Sequence, residues 1–531
     1  MTQLPLTRRK ANGRCYALAI PQSSKKKEQI PMGTRLAAVD LGSNSFRLEI
    51  GRVEHGAFQR TEYLKETVRQ GGGLDEDRNL TPTAMQNGWD CLARFGERLA
   101  GFQPGEVRAV ATQTLREARN RDVFLQRANA ILGFPINVIS GREEARLIYQ
   151  GVAQMLPQSD ERRVVIDIGG RSTELILGKG PTPVVMESFR VGSIAWSTRY
   201  FADGQFTKKS FAIAEIAAKA VLDEALDAYH PSLWDTAYGS AGTVSAIADV
   251  LVACGWPAGS VTQEGLDWLM DKLIAAQSAD RLKLPGMRED RKAIIGGGVS
   301  IVRALFSLLG IKTLHQAAGG LRHGLICDLL GASTHDDDLQ AKTVQRLAGK
   351  FGVDATHGAR VGKVATQLFT QLTSSPGTLA SPPNSRQLQK LRWAAQLHEI
   401  GSHISHSDYH KHGAYILDNA DAIGFSLSEM HRLSLLVLGH RGKLRKIETS
   451  LDEPDLAVQL IALRLAVILS HARRDPDLTG MTLTRTDATG RNMQLRCRTG
   501  WADAYPQSAY LLREESQAWQ KTAWSLDVVG C

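Results

Sequence analysis

The chain has no run of about 18 apolar residues, so it is not expected to span a membrane. Cysteine is scarce: six in 531 residues, at 15, 91, 254, 327, 497 and 531. None forms a CxxC pair, which predicts a reducing cytosol, no disulfide framework and no zinc site. Evenly spread positive charge is also missing. The net charge is +9, but residues 1–33 hold Arg8, Arg9, Lys10, Arg14, Lys25, Lys26 and Lys27 against Glu28 alone. Six of the nine charges therefore lie there, and three in all the rest. That gives little support to a global nucleic-acid field, and any anion recognition must be local. The start resembles no secretory signal, since its longest apolar piece is Tyr16–Ile20. Residues 1–33 read as a basic disordered extension, suited at most to peripheral contact with an anionic membrane surface.

What is present is organised. A chain of 531 residues is too long for one core. Residues 34–157 alternate strands and helices: a hairpin, a helix after Thr81-Pro82, a strand over 106–114, a helix over 117–132, the strand "INVIS" and a helix over 142–156. A second α/β stretch fills 158–331. "ASTHDDD", 332–338, reads as a linker. Residues 336–475 carry apolar positions at helical spacing, interrupted by a loop, "TSSPGTLASPPNS". In 476–531, "MTLTRT" and "MQLRCR" alternate like strands before a closing helix, which predicts a small α+β domain.

Two stretches echo each other. "AAVDLGSNSFRLEIG", 37–51, and "VVIDIGGRSTELILG", 164–178, both read apolar strand, Asp, x, Gly, x, x, Ser, strand. Asp40, Gly42 and Ser45 correspond to Asp167, Gly169 and Ser172 at a constant offset of 127. Such a repeat predicts two related lobes facing one another. Glycines after a strand let backbone N–H groups approach an anion, and hydroxyls add donors. A carboxylate at the strand end suits Mg²⁺, which pairs with phosphate oxygens. Two facing loops would grip a phosphate chain from both sides. Arg116 opens a helix after a Thr-rich strand end, as a phosphate ligand would. Glu143 and Glu144 sit in one first turn about 100° apart. One can therefore face a cleft as general base while the other faces water.

With "ATQTLREARN", "ISGREEARLIYQGV" and "YGSAGTVSAI" added in order, the sequence resembles the exopolyphosphatase/guanosine pentaphosphate phosphohydrolase family of the actin–hexokinase–Hsp70 superfamily. "LRWAAQLHEIGSHISHSDYHKHGAYIL" looks like part of the long four-domain exopolyphosphatases. The resemblance implies two ribonuclease H-like lobes, then an all-α degenerate HD-like domain and a small C-terminal domain. It implies Glu144 as base, Arg116 on the terminal phosphate and Glu174 orienting water or metal. Asp40 and Asp167 would position Mg²⁺, with K⁺ as a stimulating ion. Ser43, Asn44, Ser45, Gly169, Gly170, Ser172 and Thr173 would line the phosphate loops, and Gly242 and Thr243 the loop matching the adenosine motif. Arg171 stands where the family has glycine, and either adds a phosphate contact or crowds the loop. Ser240-Ala241, Ala318 and His323 also depart from the pattern. His398, Glu399, His403, His406, His410 and His412 read as polar helix ends rather than a second metal site. Arg441, Lys443, Arg445 and Lys446 are candidates for a basic polyphosphate channel. The expected activity is exopolyphosphatase, with guanosine pentaphosphate phosphohydrolase as the alternative and a non-catalytic sensor as the alternative of another class. A cytoplasmic homodimer is implied, at most peripheral at the inner membrane face, with no nucleic-acid partner.

Overall fold

The computed structural model describes residues 17–19, 31–54, 57–157, 159–331, 336–373, 385–487 and 490–531. Most of the basic extension, of the proposed linker and of the 373–385 loop lies outside them. No described helix is long and apolar enough to cross a membrane. The chain forms two compact units, Met1–Asp336 and Asp337–Cys531.

The first unit holds two six-stranded sheets. One joins β1 (Ala17–Ala19), β2 (Arg35–Leu41), β3 (Phe46–Glu54), β4 (Ala57–Glu66), β5 (Val107–Ala111) and β6 (Ile136–Val138) in the order β1-β4-β3-β2-β5-β6. The other joins β7 (Arg162–Ile168), β8 (Thr173–Lys179), β9 (Thr182–Phe189), β10 (Thr236–Ser240), β11 (Ser260–Thr262) and β12 (Thr313–Gln316) in the order β11-β12-β10-β7-β8-β9. Strands β2 and β7 are central and covered on both faces. That is why they read as continuous apolar runs rather than alternating ones. Each runs antiparallel to its hairpin partner and parallel to a third strand, so the sequence repeat is a structural repeat. The echo extends further than the motif. Register shifts fall at Ile50/Gly51 and Leu177/Gly178, again 127 residues apart.

Thr81 caps the helix Pro82–Arg98 through the Ala84 N–H, with Pro82 in the first turn. The helix expected over 117–132 is instead two helices, Gln113–Glu117 and Arg121–Leu132. Ala118 is extended between them, and Asn120 is drawn aside to bond both N–H and C=O of Leu80. The helix Leu321–Gly331 follows the second sheet but packs on the first, its Leu325, Ile326 and Leu330 against Leu36, Ala38 and Val110. Its approach to the helix Gly141–Met155 is backbone to backbone. A Cβ on Gly151 would lie 2.1 Å from the Gly320 oxygen, and one on Gly324 2.0 Å from that of Leu147.

The second unit packs the helices Ala355–Thr373, Ser385–Leu397, Tyr409–Asn419, Leu427–Gly439 and Pro454–Leu469 around one apolar core. A sheet of three strands follows, β13 (Thr482–Arg485), β14 (Asn492–Arg496) and β15 (Ser525–Val529), with the helix Pro506–Trp519. The expectation of no disulfide is corrected here: Cys497 and Cys531 are joined. The pairing of β14 with β15 brings these residues, 34 apart, into reach.

Candidate active site

A cavity of about 310 Å³ opens between the two sheets of the first unit. Asp40 and Asp167 stand at the ends of β2 and β7, and both line it. Gly42, Ser43, Asn44 and Ser45 line it from the first loop, and Gly169, Gly170 and Ser172 from the second. The loops meet closely because Gly170 lacks a side chain, whose Cβ would stand 3.1 Å from that of Ser43. Gly242 and Thr243 complete the wall, although the Thr243 hydroxyl donates to the Ile168 carbonyl at 2.9 Å. Thr173 is not on the wall, and its hydroxyl donates to the Val191 carbonyl at 2.6 Å.

Ser140 caps the helix Gly141–Met155, which delivers Glu144 to the cavity. The other acid of the pair does not face water as expected. Glu143 is buried, bonded to Arg146 at 2.8 and 2.9 Å, and Arg146 also grips Asp328. Two arginines, Arg146 one turn on in the same helix and Arg108 from β5, make burial of that acid tolerable. Arg116 lies off the wall, behind Glu144. Its Nη1 donates to Glu144 Oε2 at 2.7 Å and to the Ile139 carbonyl at 3.0 Å. Its other face donates to Gln113 Oε1 at 2.6 and 2.9 Å.

Burial raises the Glu144 carboxyl above the ordinary range, Arg116 opposes this, and Asp40 adds to it. Burial also pushes Asp167 up to about 7, helped by Glu144 and Asp40 and opposed by the Ser240 hydroxyl and Arg47. Glu174, opposite Asp167 in the hairpin register, is raised well above its usual value by burial, Glu144 and Asp167. It accepts from the Ser188 hydroxyl at 2.8 Å and lies off the wall. These acids feel one another's charge in a buried setting, an arrangement that favours either protons or a bound cation.

Five cations that sequence reasoning did not single out line the same cavity: Arg47, Lys65, Arg288, Arg291 and Arg322. Arg47 donates to Asp40 at 3.2 Å, and Arg322 bonds Glu49 at 3.2 Å. The Arg291 Nε is buried, makes no hydrogen bond among the described residues and lies 3.7 Å from Asp290 Oδ2. A Cβ on Gly242 would lie 2.4 Å from Arg291 Nη2, so glycine there makes room for the guanidinium. Lys65 is held below its usual value by burial and by Arg291 and Arg288. Arg47 was visible as the polar position of an alternating strand. Arg288 and Arg291 come from the start of the one-turn helix Glu289–Lys292, too short to give a periodic signal.

Ala241, at the start of the helix Ala241–Ala253, has φ 63°. This conformation costs an L-residue about 1–2 kcal/mol, offset in part by the roughly 0.5–1 kcal/mol entropy cost of glycine. Ala241→Gly is therefore expected to stabilise the chain by about 0.5 kcal/mol in urea unfolding. His323 also lines the cavity, and burial lowers it to about 4, so it is neutral at pH 7.

In the second unit, His398, Glu399 and His357 bring ligand atoms within 4.8 Å of one another. A cation already engages this group: Arg473 Nη2 lies 2.7 Å from Glu399. His403, His406, His410 and His412 do not join it. Arg441, Lys443 and Arg445 are exposed. Arg441 stacks over Tyr409 at 4.7 Å, and Lys446 donates to the Arg441 carbonyl at 2.9 Å.

An acid cluster beside five cations, at the meeting of two hydroxyl-lined turns from duplicated lobes, suits a row of phosphates with water attacking its end. That defines the class: a phosphoanhydride hydrolase on actin-like lobes. More particularly, the chain belongs to the Ppx/GppA phosphatase family, whose model matches residues 50–333, while that of its domain III matches 339–516. The guanosine-5'-triphosphate,3'-diphosphate pyrophosphatase of Vibrio atlanticus is 36% identical over 494 residues, covering 93% of this chain and 97% of its own. That of Aeromonas salmonicida is 37% identical over 493 residues, covering 92% and 97%. The solved exopolyphosphatase of Cytophaga hutchinsonii matches with TM-score 0.51 at 23% identity, covering 56% of this chain and 98% of its own, a likeness of fold.

Proposed function

We propose that the chain hydrolyses the terminal phosphoanhydride of guanosine 5'-triphosphate,3'-diphosphate, releasing orthophosphate. The observation that carries the chemistry is the buried Arg116–Glu144 pair, with Glu144 on the wall between both phosphate loops. Glu144 takes the proton of a water aimed at the terminal phosphorus, and its raised proton affinity suits that role. Arg116, behind Glu144, holds that carboxylate in place through its Nη1. Loop N–H groups and the hydroxyls of Ser43, Ser45 and Ser172 bond the phosphate oxygens. The five cations supply charge for a second phosphate group, which favours a nucleotide bearing two phosphate chains. The full-length relatives named for that nucleotide support the same choice over the exopolyphosphatase reading.

The donor set fits Mg²⁺. Buried acids that raise one another's proton affinity are hard oxygen ligands short of a cation. Asp40 and Asp167 would hold the ion, which when bound neutralises phosphate charge. Polyphosphate is the second reading, favoured by the exposed Arg441, Lys443 and Arg445 with Lys446 beside them. Phosphate release from guanosine pentaphosphate and from long-chain polyphosphate, with Mg²⁺ and K⁺ present, decides between them. We expect kcat/KM to be at least about tenfold higher on the nucleotide. Preference for polyphosphate would overturn the choice.

A further inference from the structure

Arg171 does not line the cavity. Its guanidinium turns from the second loop to the first lobe, where Nε and Nη2 donate to Glu117 Oε2 at 3.1 and 2.6 Å. Nη1 donates to the Gly71 carbonyl at 2.9 Å. The Gly71 N–H in turn donates to the Ser43 carbonyl at 2.8 Å, so the same side chain touches the turn that braces the first phosphate loop.

We propose that Arg171 is a positioning residue that latches the second lobe onto a string of side chains ending at the Arg116–Glu144 pair. The string is continuous. Glu117 Oε1 accepts from Gln113 Nε2 at 2.6 Å, Gln113 Oε1 accepts from Arg116, and Arg116 donates to Glu144. Its middle link has only one useful orientation. The Gln113 amide presents oxygen to Arg116 because its NH₂ is claimed by Glu117, and the opposite face would set NH₂ against a guanidinium. Glu117 is itself a buried-side carboxylate, 11% exposed, whose charge Arg171 balances. The helix carrying Gln113, Arg116 and Glu117 is five residues long, too short to hold itself in register. Arg171 comes from the second lobe and the other four residues from the first. The string is therefore complete when the two loops stand at this spacing, and that spacing aligns the base and its partner.

The kinetic arm of the test rests on the hydrolase reading; the second arm does not. In the full chain with guanosine pentaphosphate, Arg171→Ala and Glu117→Gln are each expected to lower kcat about tenfold with KM changed less than about twofold. The double variant should be no worse than the worse single one, because both cut the same string. Arg171→Lys, which keeps one point of contact, should recover part of the rate. A raised KM at unchanged kcat for Arg171→Ala would mean a direct phosphate contact and would overturn the latch, as would additive losses. Hydrogen exchange at amides 113–118 of the ligand-free protein is the second readout. Arg171→Ala and Glu117→Gln should both speed it about tenfold, and unchanged exchange overturns the latch whatever the turnover. A wild type that releases no phosphate, with exchange accelerated in the variants, sinks the hydrolase reading and leaves the latch standing.

Discussion

Glu144→Gln will lower kcat for phosphate release by about a thousandfold and leave KM within about twofold. The amide keeps the shape of the carboxyl and offers an oxygen to Arg116, so the wall and loops remain while the base is lost. The neighbouring acid gives the contrast. Glu143→Gln breaks a buried bidentate pair with Arg146 and is expected to cost about 3–5 kcal/mol of stability, read in urea unfolding, with kcat of the folded fraction kept. Adjacent residues of one helical turn thus separate into a chemical and a structural role. Because burial raises Glu144, the acid limb of the wild-type pH–rate profile lies above the ordinary 4.5, and activity rises as pH climbs through it.

Asp167→Asn will stabilise the protein at pH 8 in the absence of Mg²⁺ while abolishing turnover. The folded chain raises this carboxyl from 3.8 to about 7, chiefly through burial. A raised group contributes stability that is complete below pH 3.8 and is lost as pH rises through 7. At pH 8 the wild type therefore holds an unwelcome charge, worth on the order of 4 kcal/mol, that the amide lacks. Thermal melts across pH 5 to 8 measure it: the gap between the two proteins narrows on the acid side and widens on the alkaline side. Millimolar Mg²⁺ should raise the wild-type midpoint at pH 8 and leave the variant's unchanged. A variant melting below the wild type at pH 8 without Mg²⁺ would refute the account.

The duplicated lobes were legible because one pattern recurs at a fixed offset, and Asp40 and Asp167 do stand at matching strand ends of one cavity. The same offset at Gly51 and Gly178 is hard to read in the sequence, since one glycine inside a strand is a weak signal. Arg288 and Arg291 reach the cavity from a stretch more than a hundred residues beyond the second loop, and periodicity carries no information about such long-range placement. Arg171 was legible as an exception but not in its direction, which depends on where Glu117 lies once a short helix has ended at Ala118. The link between Cys497 and Cys531 was hidden because the strand Ser525–Val529, which carries the chain end to it, is brief and pairs in parallel.

The glycines between the helices Gly141–Met155 and Leu321–Gly331 have a mechanical consequence. Where two backbones touch with no side chains between them, there is no clearance to absorb a tilt. The chain crosses to the second lobe after one of these helices and returns through the other, so both crossings turn on the same bearing. A single methyl group added at Gly151 or Gly324 would act as a wedge in that bearing, felt at the jaws of the cleft although nothing in them had been altered.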